Sequence, residues 1–266
     1  MWIPITIAAA TFQILRTARQ HELRSALSTA AAGFVRYAYG APLAIVLSAV
    51  LFCVLGRDLP GVTGRFWPAL AIGAVAQIVG TVALLQAFKV RDFAIGTVYS
   101  KSEVLFVAAL GAIGFETALR PVGWIGAVLV TIGVAWLASN GSLASLLRRA
   151  GDPAALLGLI AGIGFGIASL GIRAASRALT DAPSFDRAVL TLTALLIVQT
   201  TLNTGWFLVT DRSEIARTAA AWRAALPVGI FSLLGSIGWA WAFTLESVAK
   251  VRTLGQVELL IAFVLA

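Results

Sequence analysis

The chain has 266 residues, of which 59% are hydrophobic and 12% charged, and its mean hydropathy is +0.93. Globular domains carry about 25% charge, so a soluble protein this apolar would lack the polar surface to cover itself, and the composition assigns an integral membrane protein. The single His21 and single Cys53 exclude a bis-His haem carrier, a multi-ligand zinc site, a Ser–His intramembrane protease and a disulfide framework.

The net charge is +8. The 20 basic residues are scattered singly or in pairs through short connections, which is the pattern of loops flanking membrane spans and not of a nucleic-acid surface. No nucleic-acid partner, metal or cofactor is expected.

In chain order the apolar runs are 2–15 (continuing to about Ala18), 37–56, 66–88, 93–115, 121–137, 153–172, 188–210, 224–245 and 251–266. About 20 apolar residues cross the hydrocarbon core, and backbone groups in lipid must be paired within the segment, so these runs predict nine helices. They lack the alternation of barrel strands. Arg57-Asp58-Leu59-Pro60-Gly61, Lys89-Val90-Arg91-Asp92, Glu116 to Pro121 and Gly151-Asp152-Pro153 read as turns between them. Trp2, Trp67, Trp124, Trp206 and Trp222 fall near span ends, where an amphipathic ring suits the headgroup zone. The alternate loops carry nearly balanced basic charge, so the positive-inside rule does not orient the chain.

The sequence also repeats. Offset by 155 residues, Phe66–Val107 aligns with Ala221–Ala262 without a gap and with 8 identities in 42 positions, among them Trp67 with Trp222, Gly80 with Gly235 and Glu103 with Glu258. A carboxylate matched inside an apolar span is not explained by compositional bias. The offset makes spans 6–9 copies of spans 1–4, so each repeat would hold five helices. An odd number inverts the second copy in the membrane. The expected architecture is an all-α membrane protein of two inverted five-helix repeats, 1–141 and 142–266, with nine spans present and the tenth, expected near residue 276, missing from this sequence.

The stretch SKSEVLFVAALGAIGFETALRPVGWIGAVLVTIGVAWLA, Ser100 to Ala138, resembles the fourth and fifth helices of the drug/metabolite transporter superfamily, EamA type. GQVELLIAFVLA, Gly255 to Ala266, resembles the same element of the second half, and the Arg of FVRYA and of FDRAV is similar to the family's Arg at the start of the second helix. Val104 and Leu259 stand where the family often has Pro directly after the span Glu. The resemblance implies a multi-pass protein of the bacterial cytoplasmic (inner) membrane, both termini cytoplasmic. It also implies a central cavity between the repeats for a small metabolite or drug.

Ionisable groups within a span are costly, at roughly 2.5–3.5 kcal/mol on insertion scales, and face a cavity or a partner. Glu103 and Glu258 are therefore the leading candidates for binding a cationic substrate or carrying protons, against the alternative that each locks the bundle through an Arg or a helix end. Lys101 and its repeat mate Gln256 follow, with Tyr99, Tyr37, Gln77 and Trp239 as candidate cavity lining. Because Gln256 brings no charge near Glu258, that Glu is expected to be the titrating member. Gln199 and Asn203 read as interhelical glue, and Gly158-x-x-x-Gly162-x-Gly164-x-Gly166 as a close-packing face within the chain.

The function expected is secondary transport of a small molecule by alternating access, by a monomer or homodimer in the lipid bilayer and with proton coupling through the carboxylates. The chain contains no GxxxxGK[ST] motif for hydrolysing ATP. A channel-like or structural subunit is the alternative class. A membrane enzyme acting on a lipid-linked substrate would need clustered Asp or His at a membrane face, and the sequence shows no such cluster.

Overall fold

The computed structural model describes residues 1–23, 27–90, 93–114, 119–138, 144, 148 and 150–265, with the side chains of all but 21, 93–95 and 262–265. The boundary at 141/142 and the turn containing Glu116 lie outside the described residues. Apart from one two-stranded ladder, the regular elements of the described chain are helices, joined by short turns and irregular connections.

The first half runs α1 (Trp2–Glu22), α2 (Thr29–Ala38), α3 (Gly40–Ala49), which ends in a π-helical turn over Val50–Val54, β1 (Gly61–Val62), α4 (Phe66–Val90), α5 (Phe93–Ser100), α6 (Glu103–Ala112) and α7 (Pro121–Ala138). The second half runs α8 (Pro153–Arg177), β2 (Leu179–Thr180), α9 (Ser184–Thr210), α10 (Ser213–Ala220), α11 (Trp222–Leu245), α12 (Val248–Gly255) and α13 (Val257–Leu265). Among the described residues, five segments are long and apolar enough to cross a membrane: Thr29–Val54 and the helices α4, α8, α9 and α11. Such a chain is an all-α, multi-pass membrane protein.

Local chemistry explains the ends. Ser28 caps α2 by accepting from the Ala31 amide at 3.1 Å, and Asp152 caps α8 through the Ala154 amide with Pro153 in the first turn. Two expected boundaries shift. α1 continues past Arg16 to Glu22, and the second span begins at Thr29, so Arg36 and Tyr37 lie inside it and do not open it. A hydropathy reading ends a span at a cation, whereas a helix carries that cation onward when it faces protein or a cavity. The expected single spans at 93–115 and 251–266 are each broken. α5 gives way to α6 across Lys101 and Ser102, and α12 to α13 at Gln256.

The element boundaries recur at the offset that relates Glu103 to Glu258. α5 maps onto α12 residue for residue, α4 onto α11 within one residue, and Thr29–Val54 onto α9. Packing recurs too. α4 makes its most extensive contact with α8, and α1 with α11, so the third long segment of each half lies on the first helix of the other.

The α4–α8 contact is close because both helices present glycine. A Cβ on Gly171 would stand 2.8 Å from Gly73 Cα, and one on Gly164 would stand 2.8 Å from Ala76 O and 2.9 Å from Gly80 Cα. The glycine series of α8 thus serves packing within the chain, as its spacing suggested. α7 is the contrast: Val122, Ile125, Leu129, Ile132 and Trp136 are exposed, the disposition of side chains that face lipid. Between α7, α12 and α13 runs an apolar groove of about 800 Å³ lined by Gly123, Gly126, Gly133, Leu254 and Leu260.

Candidate functional site

The two helix breaks meet. Lys101, in the α5–α6 turn, forms an ion pair with Glu258 of α13. Arg252, on α12, pairs with Glu103 of α6 at 3.4 Å. Each carboxylate thus takes its cation from the other half of the chain. All four groups are largely withdrawn from the surface, with side-chain exposures of 14% and 9% for Lys101 and Glu258, and of 13% and 6% for Arg252 and Glu103. A buried ion pair offsets its desolvation only when its remaining donors and acceptors are also satisfied, and neighbouring side chains supply these partners. Gln13 of α1 donates to Glu258 and accepts from the Trp239 indole at 3.0 Å. Arg252 donates to Ser169 Oγ from Nε at 3.0 Å and from Nη2 at 2.7 Å. The Arg252 guanidinium also lies 4.8 Å from the centroid of Trp239 and 5.2 Å from that of Phe243, within cation–π range.

Beside this network lies a small, largely enclosed cavity of about 40 Å³. A water needs about 10–15 Å³ on this measure, so the space holds a few waters or one small polar group. Its polar lining is Gln13, Arg16, Arg36, Gln77, Ser236, Trp239 and Arg252, and Phe231 and Phe243 form part of its apolar wall. Gln77 is fixed by Gln199, whose Nε2 donates to it at 2.7 Å, so Gln199 is the interhelical bond its type and place suggested.

The candidate residues are distributed as follows. Gln77 and Trp239 line the cavity; Lys101, Glu103 and Glu258 stand behind its wall, the last one residue removed through Gln13. Tyr37 is buried and shares a 3.1 Å hydrogen bond with Thr81. Tyr99 lies apart, against Ala154, Ala155 and Gly158, so it lines α8 and not the cavity. Gln256 opens on the apolar groove and donates to Arg252 O at 3.3 Å. The expectation that Glu258 lacks a fixed cation is overturned: Lys101 reaches it from the other half, a contact that intra-repeat spacing does not encode. Arg187 donates to Leu179 O at 3.4 Å and has no part in the cavity. The sequence reading missed Gln13, Arg16, Arg36 and Arg252 as central groups. Their signal was present as polar residues on helical spacing with apolar neighbours, at positions assigned to span ends.

One end of the bundle is clasped. β1 and β2 pair antiparallel, Gly61 opposite Thr180 and Val62 opposite Leu179. Thr63 Oγ1 donates to Ala178 O at 2.8 Å, and Arg57 bonds the buried Asp186 at 2.6 Å. On the same side Arg173 donates to the carbonyls of Phe243 and Glu246, tying α8 to the end of α11. At the opposite end Tyr39 donates to Thr218 O at 2.9 Å, and Asp211 accepts from Ser213 and Arg217. The Ser213 hydroxyl and amide hold the Asp211 carboxyl below its usual range, with Arg217 adding a smaller pull in the same direction.

No family model matches the chain, and no curated protein does. Nine chains of solved structures are similar to it. One, described only as a crystal structure of a protein, superposes with a TM-score of 0.70 at 15% identity, over 99% of this chain and 86% of that one. The likeness is one of fold alone.

Proposed function

We propose that the chain is a secondary transporter of the drug/metabolite transporter type, built of two inverted repeats that move against each other around the cavity. The observation that carries this reading is the pair of crossing ion bridges, Glu103 with Arg252 and Glu258 with Lys101. Glu103 and Glu258 are repeat mates on matched broken helices, as a pseudo-two-fold axis in the membrane plane would place them, while their cations stand at unmatched positions, with Gln256 and Thr97 at the mates of Lys101 and Arg252. Discontinuous helices near the midplane are where transporters of this construction bind substrate. The recurrence of element boundaries and of the exchanged α4–α8 and α1–α11 contacts supports the same axis.

In this reading α7 is the fifth helix of the first repeat. Alternating access then has a definite form. The clasp of β1–β2 and Arg57–Asp186 closes one face, the contacts of α10 with α2 close the other, and each opens while its opposite stays shut. The enclosed cavity corresponds to the occluded stage.

Solute counterflow in proteoliposomes tests the proposal. Preloading with a panel of amino acids, sugars, nucleotides, quaternary amines and organic acids should give saturable, transient accumulation of a labelled member of one class. Conductance in planar bilayers without saturable counterflow would replace the transporter by a channel.

A further inference from the structure

The cavity wall carries more positive charge than its carboxylates can neutralise. Arg16, Arg36 and Arg252 line the space, with Lys101 one layer behind. Glu103 and Glu258 are already committed, to Arg252 and Lys101. Arg36 is 8% exposed, its Nε is buried with no hydrogen-bond partner, and its guanidinium carbon lies over the Tyr37 ring at 5.0 Å. Arg16 Nε is likewise buried without a partner, and the contact described for its side chain is 3.4 Å from Nη2 to the adjacent Thr17 hydroxyl. Among the described residues no carboxylate bonds either one. Two guanidinia facing one small space repel each other, and each offers a planar fork of donors that matches the oxygens of a carboxylate or phosphoryl group.

We infer that the cavity is an anion site, in which Arg16 and Arg36 hold the acidic group of an organic anion and Trp239, Phe231 and Phe243 take its apolar part. The inference rests on the transporter reading only for the statement that this anion is the transported substrate. It reverses the charge that unpaired carboxylates would have selected: with Glu103 and Glu258 neutralised, an incoming amine would meet uncompensated guanidinia. The present volume seats the acidic group alone, so the rest of the molecule enters with a widening between α1 and α11, where Phe12 stacks on Phe231 at 6.4 Å.

Thermal unfolding of the purified full chain in zwitterionic detergent, at constant ionic strength, tests the site directly. Acetate, benzoate and phenylphosphonate are titrated against benzylamine and benzyl alcohol. At least one of the three anions should raise the midpoint saturably while benzylamine does not. Arg36→Gln and Arg16→Gln should each weaken that response by roughly tenfold or more, and Arg36→Lys by less, since it keeps the charge and loses the fork. Without ligand, Arg36→Gln should unfold close to the wild-type temperature, because it removes repulsion and breaks no hydrogen bond or ion pair, at the cost of the contact with the Tyr37 ring. Stabilisation by benzylamine alone, no response to any of the three anions, or an undiminished anion response in the Arg16→Gln/Arg36→Gln double variant would overturn the inference. Counterflow in liposomes separates the two claims. An anion that binds but is not exchanged removes transport and leaves the site. Exchange of amines without anions removes the site and leaves transport.

Discussion

Lys101 and Glu258 form an ion pair that joins the two halves of the chain at the points where both broken helices are interrupted. Removing one partner of a buried pair leaves the other charge unmatched, at a cost of about 3–5 kcal/mol, whereas removing both can be near neutral. Lys101→Gln and Glu258→Gln should each lower the unfolding midpoint strongly, and the double variant should recover much of the loss. A double-mutant cycle on unfolding in detergent measures the coupling. Additive losses would mean that the two side chains do not depend on each other.

The second bridge should be more forgiving. Arg252 keeps Ser169 and the faces of Trp239 and Phe243 when its carboxylate is neutralised, and cation–π contacts contribute about 0.5–2 kcal/mol. Glu103→Gln should therefore destabilise less than Glu258→Gln. The two midpoints, measured side by side, check the order.

Helix contact predicts a contrast among glycines. Gly171→Ala and Gly164→Ala push a methyl group against backbone atoms of α4 and should cost about 1–3 kcal/mol, as overpacking does. Nothing lies within 4 Å of a Cβ at Gly126 or Gly133 of α7, so alanine there should leave the midpoint unchanged or slightly raised. The yield of monodisperse protein and the unfolding midpoint report both outcomes.

Acidification should loosen the α9–α10 connection. Asp211 has its pKa lowered by the Ser213 hydroxyl and amide, so its contribution is present above the ordinary Asp value of about 4 and is lost as pH falls through the lower folded value. Hydrogen exchange at residues 211–217, corrected for the intrinsic rate, should speed up over that interval. Asp211→Asn should remove the pH dependence.

Much of the helix order was legible in the sequence, because long apolar runs and their turns obey the thickness of a bilayer. The offset linking Glu103 to Glu258 also relates the observed element boundaries, although the breaks within 93–115 and 251–266 were not expected. The site was read less well, for a physical reason. Arg16 was placed in a connection and Arg36 at the opening of a span because a cation normally ends a span, yet each continues a helix whose polar face turns to a cavity. The partner of Glu258 came from the other half of the chain, and a comparison of the sequence with itself aligns equivalent residues, not contacting ones. Tyr99 had the same sequence warrant as Trp239, and only packing against Gly158 separates them.

The two halves are proposed to close one face while opening the other, and the β1–β2 clasp allows this to be tested without knowing the substrate. A Cβ on Gly61 would lie 3.9 Å from Thr180 Cβ, inside the roughly 3.5–4.5 Å range of a disulfide. In a Cys53→Ser background, Gly61→Cys with Thr180→Cys should lock that face when oxidised. Hydrogen exchange at 213–220 and 29–38, on the opposite face, is the measurement. The account predicts faster exchange there in the oxidised protein and a return on reduction; protection that is the same in both redox states would contradict it.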